Sequence, residues 1–317
     1  LEAGSYFTFF SRWRKYKLSH FTAFILLAQL FSSTGFANTI PADTLTADQK
    51  NIRQAGVATG FAAGYGTSLI LLHQAWYKHD PPSKFHFHND LHYWNQVDKA
   101  GHFWTAFHQS RAGVDMLGWA GVSEKKAILY GSMVGLLLQT PIEVFDGYGE
   151  TYGASLSDMG ANTLGSVAVM AQQHLWKEIR IMPKFSFHKT PIELQRLEML
   201  GENYFEQMLK DYNGQTYWLS VDISAFLPPE SRYPKWLNMA VGYGAEDMVA
   251  GSPSENTKMG YKSYRQYYLS LDLNLMNINT RSNFLKKVFY VLSILHLPAP
   301  ALEFNSKQGL VFHPMYY

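Results

Sequence analysis

Apolar and polar positions repeat with two different periods along this chain, and the change of period divides it. From Ala55 to Trp176, apolar and small residues form long runs broken by polar groups three or four apart, the spacing of one helix face. From Thr216 onward the repeat drops to two. Leu219, Val221, Ile223 and Ala225 alternate with Trp218, Ser220, Asp222 and Ser224, and Leu269, Leu271, Leu273 and Leu275 alternate with Tyr268, Ser270, Asp272 and Asn274. Alternation of that kind predicts strands with one wet face. The pattern predicts an α+β fold: a helical bundle of about four helices followed by a small curved antiparallel sheet of four or five strands.

The bundle is read as residues 55–176. Its first helix, Ala55 to Tyr77, carries no charge and has glycine at 56, 60 and 64, a small-residue stripe that admits a close neighbour. It suits a membrane span and a buried core helix equally. Two prolines after Asp80 end it, and Phe85-His-Phe-His88 alternates as an exposed amphipathic loop or, if extended, a two-histidine face. A second helix is predicted over Val97 to Leu117 and a third over Lys125 to Phe145, kinked at Pro141. A fourth is predicted from a Ser155 or Ser157 cap to Trp176. Residues 177–215 read as a linker, basic and irregular over Lys177 to Lys189 and then an amphipathic helix from Pro191 to Asp211. Residues 216–317 form the β region, whose apolar face is expected to pack on the helices or on lipid. The strands have the look of outer-membrane barrel strands, but a closed single-chain barrel needs at least about eight.

Composition adds a compartment. Arg12-Trp-Arg-Lys-Tyr-Lys17, the apolar run Phe21 to Phe31 and the small residues ending at Ala37 have the three regions of a secretory signal peptide. Residues 1–37 are assigned to it, the first eleven as an upstream remnant, and 38–54 to a mature N-terminal segment. Charged residues make up only 16% of the chain against 47% hydrophobic, and the net charge is +2. No basic tract outside the N-terminus tracks a phosphate backbone, which excludes nucleic acid as a partner. There is no cysteine, and so no disulfide, thiol chemistry or thiolate zinc site.

Three polar pairs at helical spacing stand out: Asp98 with His102, Glu143 with Asp146, and Asp158 with Asn162. Leaving a buried carboxylate unpaired costs on the order of several kcal/mol, so these groups must face water or meet. Meeting, Asp98, His102, Glu143, Asp146, Asp158 and Asn162 are candidate ligands for a divalent cation, an imidazole with carboxylates suiting Mn, Mg, Ca or Zn. His102, Glu143 and Asp158 are the candidate catalytic groups for proton transfer. A purely structural network fits the same residues, with Lys99 pairing one acid, Asp146-Gly147 starting a turn and Asp158 in the capped first turn of the fourth helix.

Asp98-Lys-Ala-Gly-His102, Glu143-Val-Phe-Asp-Gly147 and Ser155-Leu-Ser-Asp-Met-Gly-Ala-Asn-Thr-Leu-Gly165, in that order, resemble the YfiM-like family of uncharacterised envelope proteins, predicted periplasmic lipoproteins. The same order is similar to the wider VanZ-like group of small helical membrane proteins. The resemblance covers about Ala55 to Trp176 and implies a helical envelope domain of unestablished role. The lipoprotein label meets no cysteine to lipidate. The expected protein is an exported, membrane-associated structural or assembly factor whose partner is membrane lipid or another envelope protein, in the outer membrane or periplasm rather than the inner membrane. The alternative is a hydrolase or transferase acting on a lipid-linked substrate. No serine elbow, phosphate loop or HExxH motif names a reaction.

Overall fold

The computed structural model describes residues 45–73, 81–150, 153–190 and 204–317. The predicted signal peptide, the end of the first predicted helix and residues 191–203 of the amphipathic linker helix lie outside them.

Helix α1 (Ala47–Leu72) starts eight residues earlier than its apolar pattern, because Thr46 and Gln49 form a reciprocal capping box. It is mostly exposed. Arg53 and Gln54 donate to the Trp119 and Ala120 carbonyls, and the Tyr65 hydroxyl donates to the Leu138 carbonyl. At Gly56 and Gly60 of its glycine stripe no close neighbour is found among the described residues, since a Cβ added at either meets nothing within 4 Å.

Helix α2 (Val97–Trp119) is the central element, with α3 (Glu124–Ser132), α4 (Val134–Tyr148) and α5 (Leu156–Trp176) packed on it around Phe107, Val114, Ile128 and Val169. The third predicted helix is two helices, broken at Met133 rather than kinked at Pro141, through which α4 continues. The cause is backbone contact. A Cβ on Gly131 would sit 2.4 Å from the Val114 nitrogen, and one on Gly135 2.0 Å from the Ala106 oxygen. The amides at the start of α4 are satisfied from outside the helix: Gly135 N donates to Ser110 Oγ at 3.0 Å and Leu136 N to Ser166 Oγ at 2.9 Å. Together α3 and α4 are long and apolar enough to cross a membrane by length and composition, yet the glycines of this stretch, with Gln139 and Glu143, turn inward.

The sheet is a six-stranded antiparallel meander in the order β1 (Ile181–Phe187), β2 (Gln215–Val221), β3 (Leu237–Glu246), β4 (Tyr264–Leu273), β5 (Ala299–Asn305), β6 (Gly309–Tyr316). Short helices α6 (Tyr204–Lys210), α7 (Pro253–Lys258) and α8 (Asn283–Leu292) interrupt it. The extra strand, β1, lies in the stretch expected to be an irregular basic linker. Its inward residues include Lys184 and Ser186, so on that face polar positions are buried and the usual signal is reversed, although Phe187 on the other face is buried too.

The whole sheet shares that reversal. The concave face is polar and aromatic: Lys184 binds Asp272 at 2.6 Å, Ser220 donates to Asp272, Trp218 stacks on His296 at 3.9 Å, and the Tyr316 hydroxyl reaches both Thr216 and Tyr268. The last contacts bring β6 over β2 and curl the sheet. On the convex face Leu219, Val241, Leu269, Leu302 and Phe312 stand in register across five strands, each between 40% and 61% exposed. Helix α2 covers the β1–β3 end of this face, where Tyr217 lies against Gly101, Phe185 against Trp104, and Val97 packs with Tyr243 and Ala245. Among the described residues the sheet therefore packs part of its apolar face on helices and leaves the rest open.

Candidate functional site

Four pieces of chain meet at the N-terminal end of α2. The first is an extended strap, residues 81–90, which pairs with the loop after α4 through Pro82 with Gly149 and Phe87 with Ala154. The Phe85 ring occupies the space a side chain at Gly147 would need, so the strap can approach. The alternating histidines serve this pairing; among the described residues, neither His86 nor His88 belongs to a group of possible metal ligands. The strap ends by delivering Asp90.

The second piece is the entry to α2. Trp94, Asn95 and Gln96 are three successive left-handed residues, with φ of 49°, 48° and 67°. That conformation costs a non-glycine residue about 1–2 kcal/mol, least for Asn. Partners hold it: Trp94 N donates to the Gly251 carbonyl, the Tyr243 hydroxyl to the Asn95 carbonyl, and Arg265 to Gln96 Oε1 at 2.8 Å. Each of these partners belongs to the sheet region. The turn aims the first turns of α2, with Asp98, Lys99 and His102, at the other two pieces, the last turns of α4 carrying Glu143 and the start of α5.

Helix α5 begins as predicted, with Ser155 Oγ accepting from Asp158 N at 3.0 Å. The same hydroxyl donates to Asp90 Oδ1, as does Ser157. Lys99 sits among three carboxylates, 2.5 Å from Asp90, 2.7 Å from Asp98 and 3.1 Å from Asp158. On the far side of Asp158 lie His102, whose Nε2 is 3.8 Å from Asp158 Oδ2, and Glu143, which accepts from Ser155 N at 3.0 Å. Asn162 Oδ1 is 3.2 Å from His102 Nδ1.

Five of the six expected residues thus converge. The sixth, Asp146, stands half-buried beside them, its charge acting on Glu143 and its carbonyl accepting from Gly149 and Gly153. Lys99 pairs with three acids where one was expected. Asp90 was missed. It lies in an extended segment without helical period, and its one sequence signal is an acid closing an aromatic and histidine run just before α2.

Electrostatics follow from burying more negative than positive charge. Burial pushes Asp98 up to about 7 even with Lys99 adjacent. Burial pushes Glu143 up to about 8, the charges of Asp158, Asp146 and Asp90 adding to it against the Ser155 amide. Burial also disfavours the Asp90 charge, but Lys99 and the two serine hydroxyls outweigh it and hold that carboxyl well below its ordinary value. Lys99 is held above its own ordinary value because Asp98, Asp158 and Asp90 outweigh its desolvation. At neutral pH the centre carries a charged Lys99–Asp90 pair and carboxyls that retain protons or require another cation.

No curated protein and no solved structure matches the chain. Residues 87–173, which contain Asp90, Asp98, Lys99, His102, Glu143, Asp146, Asp158 and Asn162 but none of the sheet, match the family described as "Predicted periplasmic lipoprotein (DUF2279)", a description that fits an exported, envelope-associated protein.

Proposed function

We propose that this chain is an exported structural or assembly factor of the cell envelope that rests the convex face of its sheet on membrane lipid. The reversed sheet carries this reading. A sheet in water places polar side chains outward, whereas here Lys184, Ser220, Asp272 and Glu303 are enclosed and a five-strand apolar row faces out. Lipid is favoured over a protein partner by the end of the sheet remote from the polar centre. There Trp236 and Phe284 are exposed close in sequence to Lys235, Arg281, Lys286 and Lys287, the aromatic and basic composition of a headgroup region. A hydrolase or transferase has no comparable observation in its favour.

Flotation with vesicles of phosphatidylethanolamine and phosphatidylglycerol tests the reading. The native chain is expected to float with the lipid and to stay with membranes through alkaline carbonate. The double substitution Leu269→Asp with Phe312→Asp, both outside the folded core, is expected to abolish flotation with little change in melting temperature. A native chain that remains in the dense fractions, or a double variant that floats equally well, refutes it.

A further inference from the structure

We infer that His102, Glu143 and Asp158 bind one divalent transition-metal ion, with Lys99 serving as a built-in cation for the acids beside them. One ligand atom from each of the three lies within 4.8 Å of the other two, a spacing that a small inward movement brings to bonds of about 2.0–2.2 Å. The claim goes beyond the proposed membrane role and does not depend on it.

Acids in proximity are not a metal site by themselves, and the imidazole supplies the first additional argument. The Asn162 Oδ1 atom can only accept, so its contact with His102 Nδ1 puts the ring proton on Nδ1. Nε2 is left with a bare lone pair, and it faces Asp158 Oδ2 at 3.8 Å. Two acceptors turned toward each other call for a cation between them. An imidazole whose remote nitrogen is fixed by a hydrogen bond is how metal-binding histidines are commonly oriented.

Asn162 itself is the second argument. It is 1% exposed, its carbonyl points at the imidazole, and its amide Nδ2 has no acceptor. An unused donor buried beside His102 matches an oxygen ligand, such as a water molecule, completing the shell of an ion. The third argument is charge. Lys99 reaches Asp90, Asp98 and Asp158 but not Glu143, so the negative charge of this enclosed centre exceeds what its lysine balances. The second acidic triad, Asp90, Asp98 and Asp158, already has the Lys99 ammonium among its oxygens. That removes Asp98 from the ligand set expected from sequence, and Asp146 belongs to neither triad. One nitrogen with two carboxylates favours Zn²⁺ or Mn²⁺ over Mg²⁺ or Ca²⁺, which prefer all-oxygen shells. The His102 side chain is a quarter exposed, which gives an ion a route in.

The test uses the untagged full chain, stripped with chelator in detergent, then titrated calorimetrically with ZnCl2 or MnCl2 and assayed for retained metal by mass spectrometry. One equivalent per chain is expected for the native protein and for the Leu269→Asp, Phe312→Asp double variant, and at least tenfold weaker binding for His102→Ala and Glu143→Gln. No retained metal at saturating Zn²⁺ and Mn²⁺ overturns the inference, and so does full occupancy in His102→Ala or preferential binding of Mg²⁺ or Ca²⁺. Should a substituted chain fail to fold by circular dichroism, the native protein decides alone. Its Mn²⁺ form is expected to show coupling to a single imidazole nitrogen in pulsed electron paramagnetic resonance, and absence of that coupling refutes the site. Loss of flotation leaves each of these readouts intact, so the two readings fail separately.

Discussion

Replacing Glu143 by glutamine removes an ionisable group while keeping an oxygen for the Ser155 amide, 3.0 Å away in the native chain. Burial holds the native carboxyl at about 8 in the fold against 4.5 without it. The folded state therefore binds the extra proton between those values. Stability from this group is fully present below about 4.5 and is lost as pH rises through about 8. Each pH unit in that window is worth about 1.4 kcal/mol, so climbing from pH 5 to pH 8 costs the native chain up to about 4 kcal/mol, and roughly half that after local relaxation. Glu143→Gln escapes the loss. Thermal melts in detergent with excess chelator are expected to show the two chains alike at pH 5 and the variant more stable by about 2–4 kcal/mol at pH 8. Asp98 titrates in both chains and cancels in the difference. A variant that is less stable at pH 8, or a gap that does not change with pH, refutes the account of Glu143 as a carboxyl protonated by burial.

Two further outcomes follow from packing. Gly135→Ala drives a methyl against the Ala106 carbonyl, backbone on backbone, and is expected to lose about 3 kcal/mol by urea denaturation. Gly60→Ala, with nothing within 4 Å, is expected to gain a few tenths up to about 1 kcal/mol from helix propensity alone. Lys184→Met leaves Asp272 charged inside the sheet and is expected to lose about 3–5 kcal/mol, while the added substitution Asp272→Leu restores most of it in the same denaturation assay.

What could be read from the sequence was whatever depends on neighbours along the chain. The Ser155 cap and the start of α2 at Val97 are local and appear where their patterns placed them; the period-two strands appear too, but end at Val221 and Leu273, with Ile223, Ala225 and Leu275 of the predicted runs in short 3-10 turns. Period two identifies two faces without saying which is inside, so the direction of the sheet was left open, and β1 was overlooked because Lys184 and Ser186 are among its buried residues. The break at Met133 depends on Gly131 and Gly135 meeting α2, which no spacing within one helix reveals. Polar spacing did bring out Asp98, His102, Glu143, Asp158 and Asn162. It could not bring out Asp90, which reaches them from an extended strap, or the reach of Lys99, whose long side chain crosses from its own face to acids on two other segments.

The left-handed entry to α2 also sets an order of events. Gly251, Tyr243 and Arg265, which hold Trp94 to Gln96 in place, arrive some 150 residues after the turn they stabilise. As the chain emerges, the acid and imidazole groups are made before the residues that hold the turn aiming them. A fragment ending at Trp176 would own every polar member of the centre and still lack the grip that orients them, so alignment of the site depends on the chain as far as β4.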